Sequence, residues 1–319
     1  GAGFRFNRNL KLNRSLIGYM LIPLVSILLI ILLNQPKQEF FFYPDSVDGT
    51  SPYTAIFHYD ISSIRDSVFI DFGNFETFYL NPGKHMITQY YRSAGTPTVK
   101  VYTRKKELAK VKLHNKHEGW QAGHSPNDTM QAFRPFEPQP RFHRGDTLYV
   151  SPEQVQQAGV DQKEKYWVEF RNVSDFGTSL DSMVFSGQIR NSIETGGRRC
   201  YDAEILLLGS NNNLKIRFLE PGCFRFVQLQ FSEVSHSGRF EDLSEFAQDL
   251  NSWAKVSVET HDHQVEVSFN DKLIFRDQYS RSIGELWGVV IRFYGCGAAH
   301  GITLRSQTKK SGQEDLSTF

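Results

Sequence analysis

The stretch of sequence that decides the fold is residues 253–275, which read WAKVSVETHDHQVEVSFNDKLIF. Apolar and polar residues alternate over 256–258 and again over 265–269, and this period of two is typical of half-buried β-strands. Turn-forming residues separate the alternating runs at 260–263 and at 270–271. The stretch therefore predicts three antiparallel strands joined by two hairpins.

The chain on either side of this stretch shows the same short, apolar or alternating runs. An Asn-rich turn at 209–213 separates two of them. Ser151-Pro152-Glu153 has the residue types of a helix start, and apolar residues at helical spacing predict a second short helix over 241–251. The remaining runs predict strands at 146–150, 165–173, 203–208, 214–219, 224–231, 283–293 and 301–304.

The end of the chain also carries a recognisable arrangement of residues. Trp253 heads a strand, two hairpins end at Asn270-Asp271, Gly284-x-Leu286 and Gly288 follow, and an I-x-L strand comes last. This arrangement resembles the laminin-G/concanavalin-like lectin sandwich. The resemblance implies a two-sheet, all-β jelly roll over residues 141–308. Such folds bind glycans or proteins, and some of them hydrolyse glycosidic bonds.

A second group of short strands lies earlier, between residues 50 and 118. A turn reads DFGNF at 71–75, and YRSAG at 91–95 and VKV at 99–101 follow it in order. These residues resemble the PKD domain, an immunoglobulin-like β-sandwich of bacterial surface proteins. The resemblance implies a spacer or interaction module, joined to the jelly roll by a polar linker over 119–140.

Residues 16–33 read LIGYMLIPLVSILLIILL and contain no charge. As a helix they are about 27 Å long, close to the roughly 30 Å hydrocarbon core of a bilayer. They therefore predict a transmembrane helix in contact with lipid. A cleaved signal peptide is the alternative, but its small-x-small site is missing from the NQPK sequence at 34–37.

The flanks of this apolar run predict its orientation. Four basic residues and no acid precede it, which puts residues 1–15 in the cytoplasm. We therefore expect a single-pass protein of the plasma (inner) membrane, in the style of Bacteroidetes envelope proteins. A linker over 34–49 leads to periplasmic or extracellular domains, and a polar tail over 309–319 ends the chain.

Composition limits the classes of partner. The 319 residues include 36 Lys and Arg against 35 Asp and Glu, so the strong positive charge of a nucleic-acid-binding protein is missing. A basic cluster over 104–116 lacks the interleaved aromatic residues that single-stranded nucleic acid requires, and it is interpreted as the solvated face of a hairpin. We therefore expect no nucleic-acid partner.

The acidic residues do not predict a catalytic pair. A retaining glycosidase needs two carboxyl groups about 5–5.5 Å apart, and alternating acids on one strand would supply them. Glu266 stands alone in its strand, and Glu241-Asp242 suit the start of a helix. The prediction at this point is that the protein is not an enzyme and has no catalytic residues.

Metal sites and cofactors are not expected from the residue spacing. His261 and His263 flank one acid in a turn, but the further ligands of a zinc site are not visible nearby. Calcium stays open because concanavalin-like folds often carry it. The candidate oxygen ligands lie in the turns that contain Asp175, Asp181, Asn211 and Asn213.

All three cysteines lie in the predicted jelly roll, residues 141–308. If the predicted topology holds, this domain lies in an oxidising compartment. Two of them can pair and one must stay unpaired. Cys200 and Cys223 are nearest in sequence and are the candidate disulfide. Cys296 lies at a Gly-rich strand end, and buried free thiols remain the alternative to any disulfide.

These patterns predict a membrane-anchored, extracytoplasmic binding protein whose jelly roll binds a glycan or an envelope protein. Its binding residues are not assigned from the sequence. One alternative is the sensor of a transmembrane signalling protein, with a cytoplasmic part before Gly1. The other is an anchored glycoside hydrolase with an unusual pair of acids.

Overall fold

The computed structural model of the chain describes residues 40–126, 132–307 and 314–318, the last of these for their backbone alone. Within these ranges the protein is nearly all β-structure, which confirms the predicted fold class. No helix in this part of the chain is long and apolar enough to cross a membrane. The predicted transmembrane helix at 16–33 and the basic segment at 1–15 lie outside the described residues.

The first body spans residues 41–116 and contains nine strands. They are β1 (Phe41–Pro44), β2 (Asp48–Thr50), β3 (Tyr53–Asp60), β4 (Phe69–Asp71), β5 (Thr77–Tyr79), β6 (Met86–Tyr91), β7 (Thr98–Tyr102), β8 (Glu107–Lys112) and β9 (His114–Lys116). One sheet has the order β1-β3-β6 and another the order β5-β4-β7-β8. Both contribute to one hydrophobic core, in which Phe57, Ile70 and Val99 are fully buried. The two sheets thus form a small sandwich.

The group of short strands predicted between residues 50 and 118 is present, and β7 contains the VKV sequence at 99–101. The structure adds β1, which falls in the predicted linker 34–49 and pairs with β3. β2 and β9 form a separate parallel pair. The resemblance to a PKD domain stays a prediction.

The second body follows and contains two large sheets. The front sheet has, in spatial order, β11 (Arg134–Pro135), β10 (Trp120–Ser125), β14 (Trp167–Val173), β23 (Leu286–Tyr294), β16 (Asp202–Gly209), β17 (Asn213–Leu219), β18 (Gln228–Phe231) and β19 (Val234–Ser237). The back sheet has β12 (His143–Arg144), β13 (Thr147–Tyr149), β24 (Ala298–Ser306), β15 (Met183–Arg190), β20 (Ala254–His261), β21 (Gln264–Phe269) and β22 (Lys272–Gln278), with β25 (Glu314–Thr318) also paired to β24.

The core of the second body lies between these two sheets. Phe170 and Ile291 of the front sheet and Phe185 and Val256 of the back sheet belong to one buried cluster. Each has an exposed fraction of 0%. Because successive side chains of a β-strand point to opposite faces of its sheet, core-facing and outward-facing side chains alternate along the strands.

The two hairpins predicted at 260–263 and 270–271 are confirmed. β20, β21 and β22 pair in sequence order. Asp262 and His263 have φ values of 46° and 60°, and Asn270 and Asp271 have 48° and 64°. Positive φ at both central residues is what a two-residue type I′ turn requires, and Asn, Asp and His tolerate it better than most residues.

The two predicted helices had different outcomes. The first is confirmed as α1 (Pro152–Gln157), which begins at Ser151 with a capping box closed by Gln154. The second, over 241–251, is wrong, because only Ser244–Phe246 forms a 3-10 turn. The Gln248 N–H donates to the Leu219 carbonyl at 2.8 Å, so backbone bonding to the end of β17 replaces the next helical turn.

The polar segments that were predicted as linker and tail contribute to the sheets. β10 lies in the linker 119–140 and pairs with β14 along its whole length. Two of its polar side chains, Gln121 and Ser125, are buried. β25, within the predicted tail 309–319, pairs with β24. Polar composition was a poor guide here, because the outward face of the front sheet is itself polar.

The first body packs against part of that outward face. Ala94 joins Val173, Leu206, Leu208 and Val290 in a small apolar cluster. Polar contacts between the two bodies surround this cluster. They are Lys112 Nζ to the Gly209 carbonyl and, at 2.9 Å, to Asn213 Oδ1, and Arg171 Nη1 to the Ala94 carbonyl at 3.0 Å.

Candidate functional site

The outward face of the front sheet changes character along its strands. One end is apolar and covered by Ala94 of the first body. The middle carries charged side chains, and the far end opens into a groove. The period of two produces this face: in β14, Val168 and Phe170 point into the core while Glu169 and Arg171 point outward.

The charged row is formed by Glu169, Arg292, Glu204 and Arg217. They stand directly opposite one another on the neighbouring strands β14, β23, β16 and β17. Arg292 Nε lies 3.1 Å from Glu169 Oε2, and Arg292 Nη1 donates to Glu204 Oε1 at 2.8 Å. Exposed fractions of 0–6% show that the row is buried. Charges of alternating sign satisfy the requirement that buried ions be paired.

Two further ion pairs extend the charged row. Arg171 is paired with Glu169, and its guanidinium lies 4.0 Å from the centre of the Phe133 ring. At the other end, Asp202 accepts a hydrogen bond from Arg217 Nη2 at 2.5 Å and one from the Trp167 indole at 3.3 Å. Asp202 and Trp167 thus connect the charged row to the groove.

The groove has a volume of about 750 Å³ and combines aromatic with basic side chains. The rings of Trp167 and Tyr294 lie 4.7 Å apart at its floor. Phe226 and Phe240 stand at its edge with 56% and 81% of their surfaces exposed. The lining residues are Lys165, Trp167, Arg199, Cys200, Asp202, Arg217, Leu219, Arg225, Phe226, Gln228, Ser237, Arg239, Phe240 and Tyr294.

The groove carries a net positive charge. Lys165, Arg199, Arg225 and Arg239 are exposed, and no ion pair to any of them occurs in the described part of the chain. Asp202 is the acid in the lining, and Arg217 already neutralises it. The local field therefore favours anionic groups, and arginine forks suit carboxylate, sulfate or phosphate oxygens.

A disulfide bond lies at one side of the groove. Cys200 and Cys223 are joined, and the 3-10 turn Phe224–Phe226 follows directly after Cys223. The Cys200 N–H also donates to Glu220 Oε2 at 2.7 Å. These links attach the segment before the turn that carries Arg225 and Phe226 to Cys200, two residues before β16.

The third cysteine, Cys296, is a free and fully buried thiol. Burial raises the pKa of the Cys296 thiol to about 11. The thiolate needed for nucleophilic or metal-binding chemistry is therefore scarce at neutral pH, and the thiol serves as a core residue.

The candidate metal ligands from the sequence are scattered. His261 ends β20 and His263 lies in the following turn. Asp181 accepts hydrogen bonds from Tyr279 and from the Ile283 N–H at 2.9 and 3.0 Å, and Asn213 contacts Lys112 of the first body. Of the two acids among the candidate calcium ligands, Asp175 lies in a cluster with Asp48 and His114, and Asp181 belongs to no cluster of three or more His, Cys, Asp or Glu within the described ranges.

Sequence reasoning missed the acids of the outward face. Asp202-Ala203-Glu204 is an alternating pair of acids on β16, although none was expected on any strand. The pair stands at the start of a strand that otherwise reads as apolar. The feature of the sequence that could have revealed these acids is one arginine in each of two other strands, Arg217 and Arg292. These arginines can be paired with the acids of β16 only when the strand register is known.

No protein family matches the sequence, and no curated protein matches it. Solved structures with a similar fold include sugar-binding and sugar-cleaving jelly-roll proteins. The carbohydrate-binding module CBM66 from Bacillus subtilis is 8% identical, with a TM-score of 0.32 and coverage of 58% of this chain and 94% of that one. A β-glucanase from Bacillus licheniformis is 7% identical, with a TM-score of 0.32 and coverage of 59% and 99%.

An alginate lyase of polysaccharide lyase family 7 is 9% identical, with a TM-score of 0.33 and coverage of 58% and 93%. Lyases, glucanases and glycosidic hydrolases are thus prominent among the similar folds. The prediction that the protein is not an enzyme is corrected on the structure of this chain itself. Its premise, that no strand carries alternating acids, was wrong, because Asp202 and Glu204 alternate on β16.

Proposed function

We propose that the second body binds an acidic polysaccharide in the groove at the end of the front sheet. The observation that carries the proposal is the set of four exposed cations, without acidic partners in the described chain, around the aromatic floor. A glycan site needs flat apolar surface together with a few polar groups that fix orientation. Trp167, Tyr294, Phe226 and Phe240 supply the surface, and the arginines supply the polar groups.

The charge of the groove specifies the class of sugar. A neutral glucan would leave the cations without anionic partners, whereas a chain of uronates or sulfated sugars brings one anion per ring or more. Each exposed arginine can hold a carboxylate or sulfate group with two hydrogen bonds. We expect the interaction to weaken as salt rises, because exposed charges are screened over about 10 Å at 0.1 M.

The test is a binding titration of the full chain with polygalacturonate, a sulfated glycan and a neutral β-glucan. We expect the acidic polymers to bind and the neutral one not to. The double variant Arg225→Gln/Arg239→Gln should weaken binding roughly tenfold or more, since charge-assisted hydrogen bonds contribute about 1.5–3 kcal/mol each. Phe240→Ala should also weaken binding, because it removes an aromatic surface at the edge of the groove. The side chain is 81% exposed, so its removal should not disturb the fold.

Matched controls come from the first body. Phe75→Ala removes an aromatic side chain that is 65% exposed, and Lys106→Gln removes an exposed cation. Both should leave binding unchanged. Equal binding of neutral and acidic polymers, or full binding by the double arginine variant, would contradict the proposal.

Cleavage of the bound polymer is the second candidate function. It is favoured by the carboxylates of Asp202 and Glu204, which alternate on β16 and face the groove side of the sheet. New chain ends should then accumulate when the protein is incubated with an acidic polymer. Asp202→Asn should abolish the product without abolishing binding, and Asp161→Asn, an exposed acid near α1, is the control.

We propose in addition that residues 16–33 anchor the protein in the plasma membrane, with both bodies on its outer side. The uncharged apolar run and its basic N-terminal flank support this topology. The disulfide supports it too, because disulfides persist mainly in oxidising compartments. The first body would then act as a PKD-like spacer. Protease added to cells with a permeabilised outer barrier should remove both bodies, and protection of the second body would refute the topology.

A further inference from the structure

A second cluster of chemically active side chains lies at the junction of the two bodies, apart from the groove. Asp48 of β2 and His114 of β9 are direct partners in the parallel pair. Asp175 of the second body follows β14. His114 Nδ1 lies 3.3 Å from Asp48 Oδ1 and 3.5 Å from Asp175 Oδ1. The histidine side chain is 1% exposed, whereas the two carboxylates are reachable from solvent.

The surroundings of His114 fix the position of its proton. Nε2 lies 3.1 Å from the Trp287 carbonyl oxygen, and the imidazole stacks on the Trp287 indole at 4.6 Å. A carbonyl oxygen only accepts hydrogen bonds, so Nε2 must carry the hydrogen. With the hydrogen on Nε2, the neutral ring presents a lone pair at Nδ1.

That lone pair has an unfavourable environment. It points at two carboxylate oxygens, and it has no hydrogen-bond partner among the described side and main chains. Lys116 Nζ lies 2.9 Å from Asp175 Oδ2 and 3.4 Å from Asp48 Oδ1, so it offsets part of the negative charge.

We propose that Asp48, His114 and Asp175 bind a divalent transition-metal ion, with Zn²⁺ as the representative. Ligands of a tetrahedral zinc ion at bonds of about 2.0–2.2 Å lie roughly 3.3–3.6 Å from one another. The separations of 3.3 and 3.5 Å from His114 Nδ1 have this size. A carbonyl that holds the second ring nitrogen, as that of Trp287 does, is the usual outer partner of a metal-binding histidine.

The donor set also distinguishes between metals. Calcium and magnesium take oxygen ligands, whereas an imidazole nitrogen suits zinc, copper, iron or nickel. Because Asp48 and His114 come from the first body and Asp175 from the second, the bound ion would fix the two bodies to each other. The ion competes with the Lys116 ammonium for the same two carboxylates. This site does not depend on the proposed function of the groove.

The test is zinc binding by the full chain after treatment with a chelator. After zinc is added back, we expect about one zinc ion per chain by elemental analysis. The melting temperature should rise with zinc concentration. Asp48→Asn and Asp175→Asn should each weaken zinc binding about tenfold or more. Their side chains are 52% and 68% exposed, so neither substitution endangers folding.

Lys116→Met separates this proposal from a purely structural ion pair. The substitution removes the competing ammonium, so zinc binding should become tighter although a salt bridge is lost. Asp66→Asn, which removes an acid paired with Lys105 in the first body, is the control and should change nothing. Zinc binding that is absent from both the wild type and Lys116→Met, or unchanged in both Asp variants, would overturn the proposal.

Discussion

Arg292 lies between Glu169 and Glu204 on the outward face of the front sheet, with 2% of its surface exposed. Removing a charge from water is costly, and the cost is recovered only when its partners stay in place. Each member of the charged row therefore depends on its neighbours. With its two extensions, the row contains three acids and three arginines. They are paired as Arg171–Glu169, Arg217–Asp202 and Arg292–Glu204.

Replacing the central cation should expose this dependence. We expect Arg292→Met to lower the free energy of unfolding by about 3–5 kcal/mol, because two buried carboxylates lose their shared partner. Adding Glu204→Gln removes one of those carboxylates, so the double variant should be less destabilised than the sum of the single variants. Urea unfolding of the four proteins in the cycle measures this coupling. Strict additivity would contradict the interdependence.

His236 of β19 makes a second charge-dependent contact at the edge of the sandwich. Its Nδ1 lies 2.6 Å from Glu241 Oε2, and its Nε2 lies 2.6 Å from Asp277 Oδ2 of β22. Burial alone would lower the pKa of His236, but the hydrogen bonds to the two carboxylates outweigh it and raise that pKa. The protonated ring thus links an edge of the front sheet to an edge of the back sheet.

The raised pKa predicts the direction of a pH effect. Because the folded state holds the proton more tightly, the stabilisation is complete below the unfolded pKa of about 6.5. It is lost as the pH rises through the folded value. The stability difference between the wild type and His236→Gln should therefore be larger at pH 6 than at pH 9. Equal differences in urea unfolding at the two pH values would show that the ring is not protonated.

At the scale of elements, the disulfide and the turn after it shape the groove. Cys200 precedes β16 and Cys223 precedes the 3-10 turn Phe224–Phe226, and the two cysteines are 23 positions apart in sequence. The hairpin of β16 and β17 lies inside the closed loop. The turn contains no side-chain cap, and the disulfide ties its first end to Cys200 while its other end continues through buried Val227 into β18.

Loss of the disulfide should thus affect stability and binding together. For the Cys200→Ser/Cys223→Ser variant we expect a decrease of about 3 kcal/mol in the free energy of unfolding, the value for a loop of this size. Binding of acidic polymer should weaken because Arg225 and Phe226 lose their fixed position. Cys296→Ala alters a buried thiol outside the groove and should not change binding. If the double variant binds acidic polymer as tightly as the wild type, the disulfide is not required for the binding site.

At the scale of the whole molecule, two hydrophobic cores meet through a small contact. Ala94 is 1% exposed against Val173, Leu206, Leu208 and Val290. The remaining links are polar, with Lys112 and Arg171 as donors. Burial at the junction lowers the pKa of Lys112 to about 8. Such a junction holds the bodies together with far less apolar contact than either core contains.

A charge introduced at the centre of this contact should separate the bodies without unfolding them. We expect Ala94→Asp to increase the radius of gyration in small-angle scattering, because an unpaired buried carboxylate is costly. Far-UV circular dichroism should stay the same, since Ala94 belongs to neither of the two main cores. Ser62→Asp adds the same charge at an exposed position and should change neither quantity. Loss of circular dichroism in Ala94→Asp would instead show that the bodies fold as one unit.

Features set by neighbours in sequence were predictable. The hairpins at 260–263 and 270–271 and the capping box at Ser151 depend on residue types a few positions apart. The predicted helix over 241–251 failed because a backbone bond to β17, distant in sequence, competed with helical bonding. Residues 119–140 were predicted as a polar linker for the same reason, since only pairing with β14 reveals β10 as a strand.

The period of two and the turn residues between the runs were enough to decide an all-β chain. They were not enough to decide its site. Glu169, Glu204, Arg217 and Arg292 are spread over more than 120 positions of the sequence, and only the strand register brings them into one row. Tertiary packing also determines which face of the front sheet points outward and which residues cover it. Both depend on contacts between distant segments, which local residue patterns do not encode.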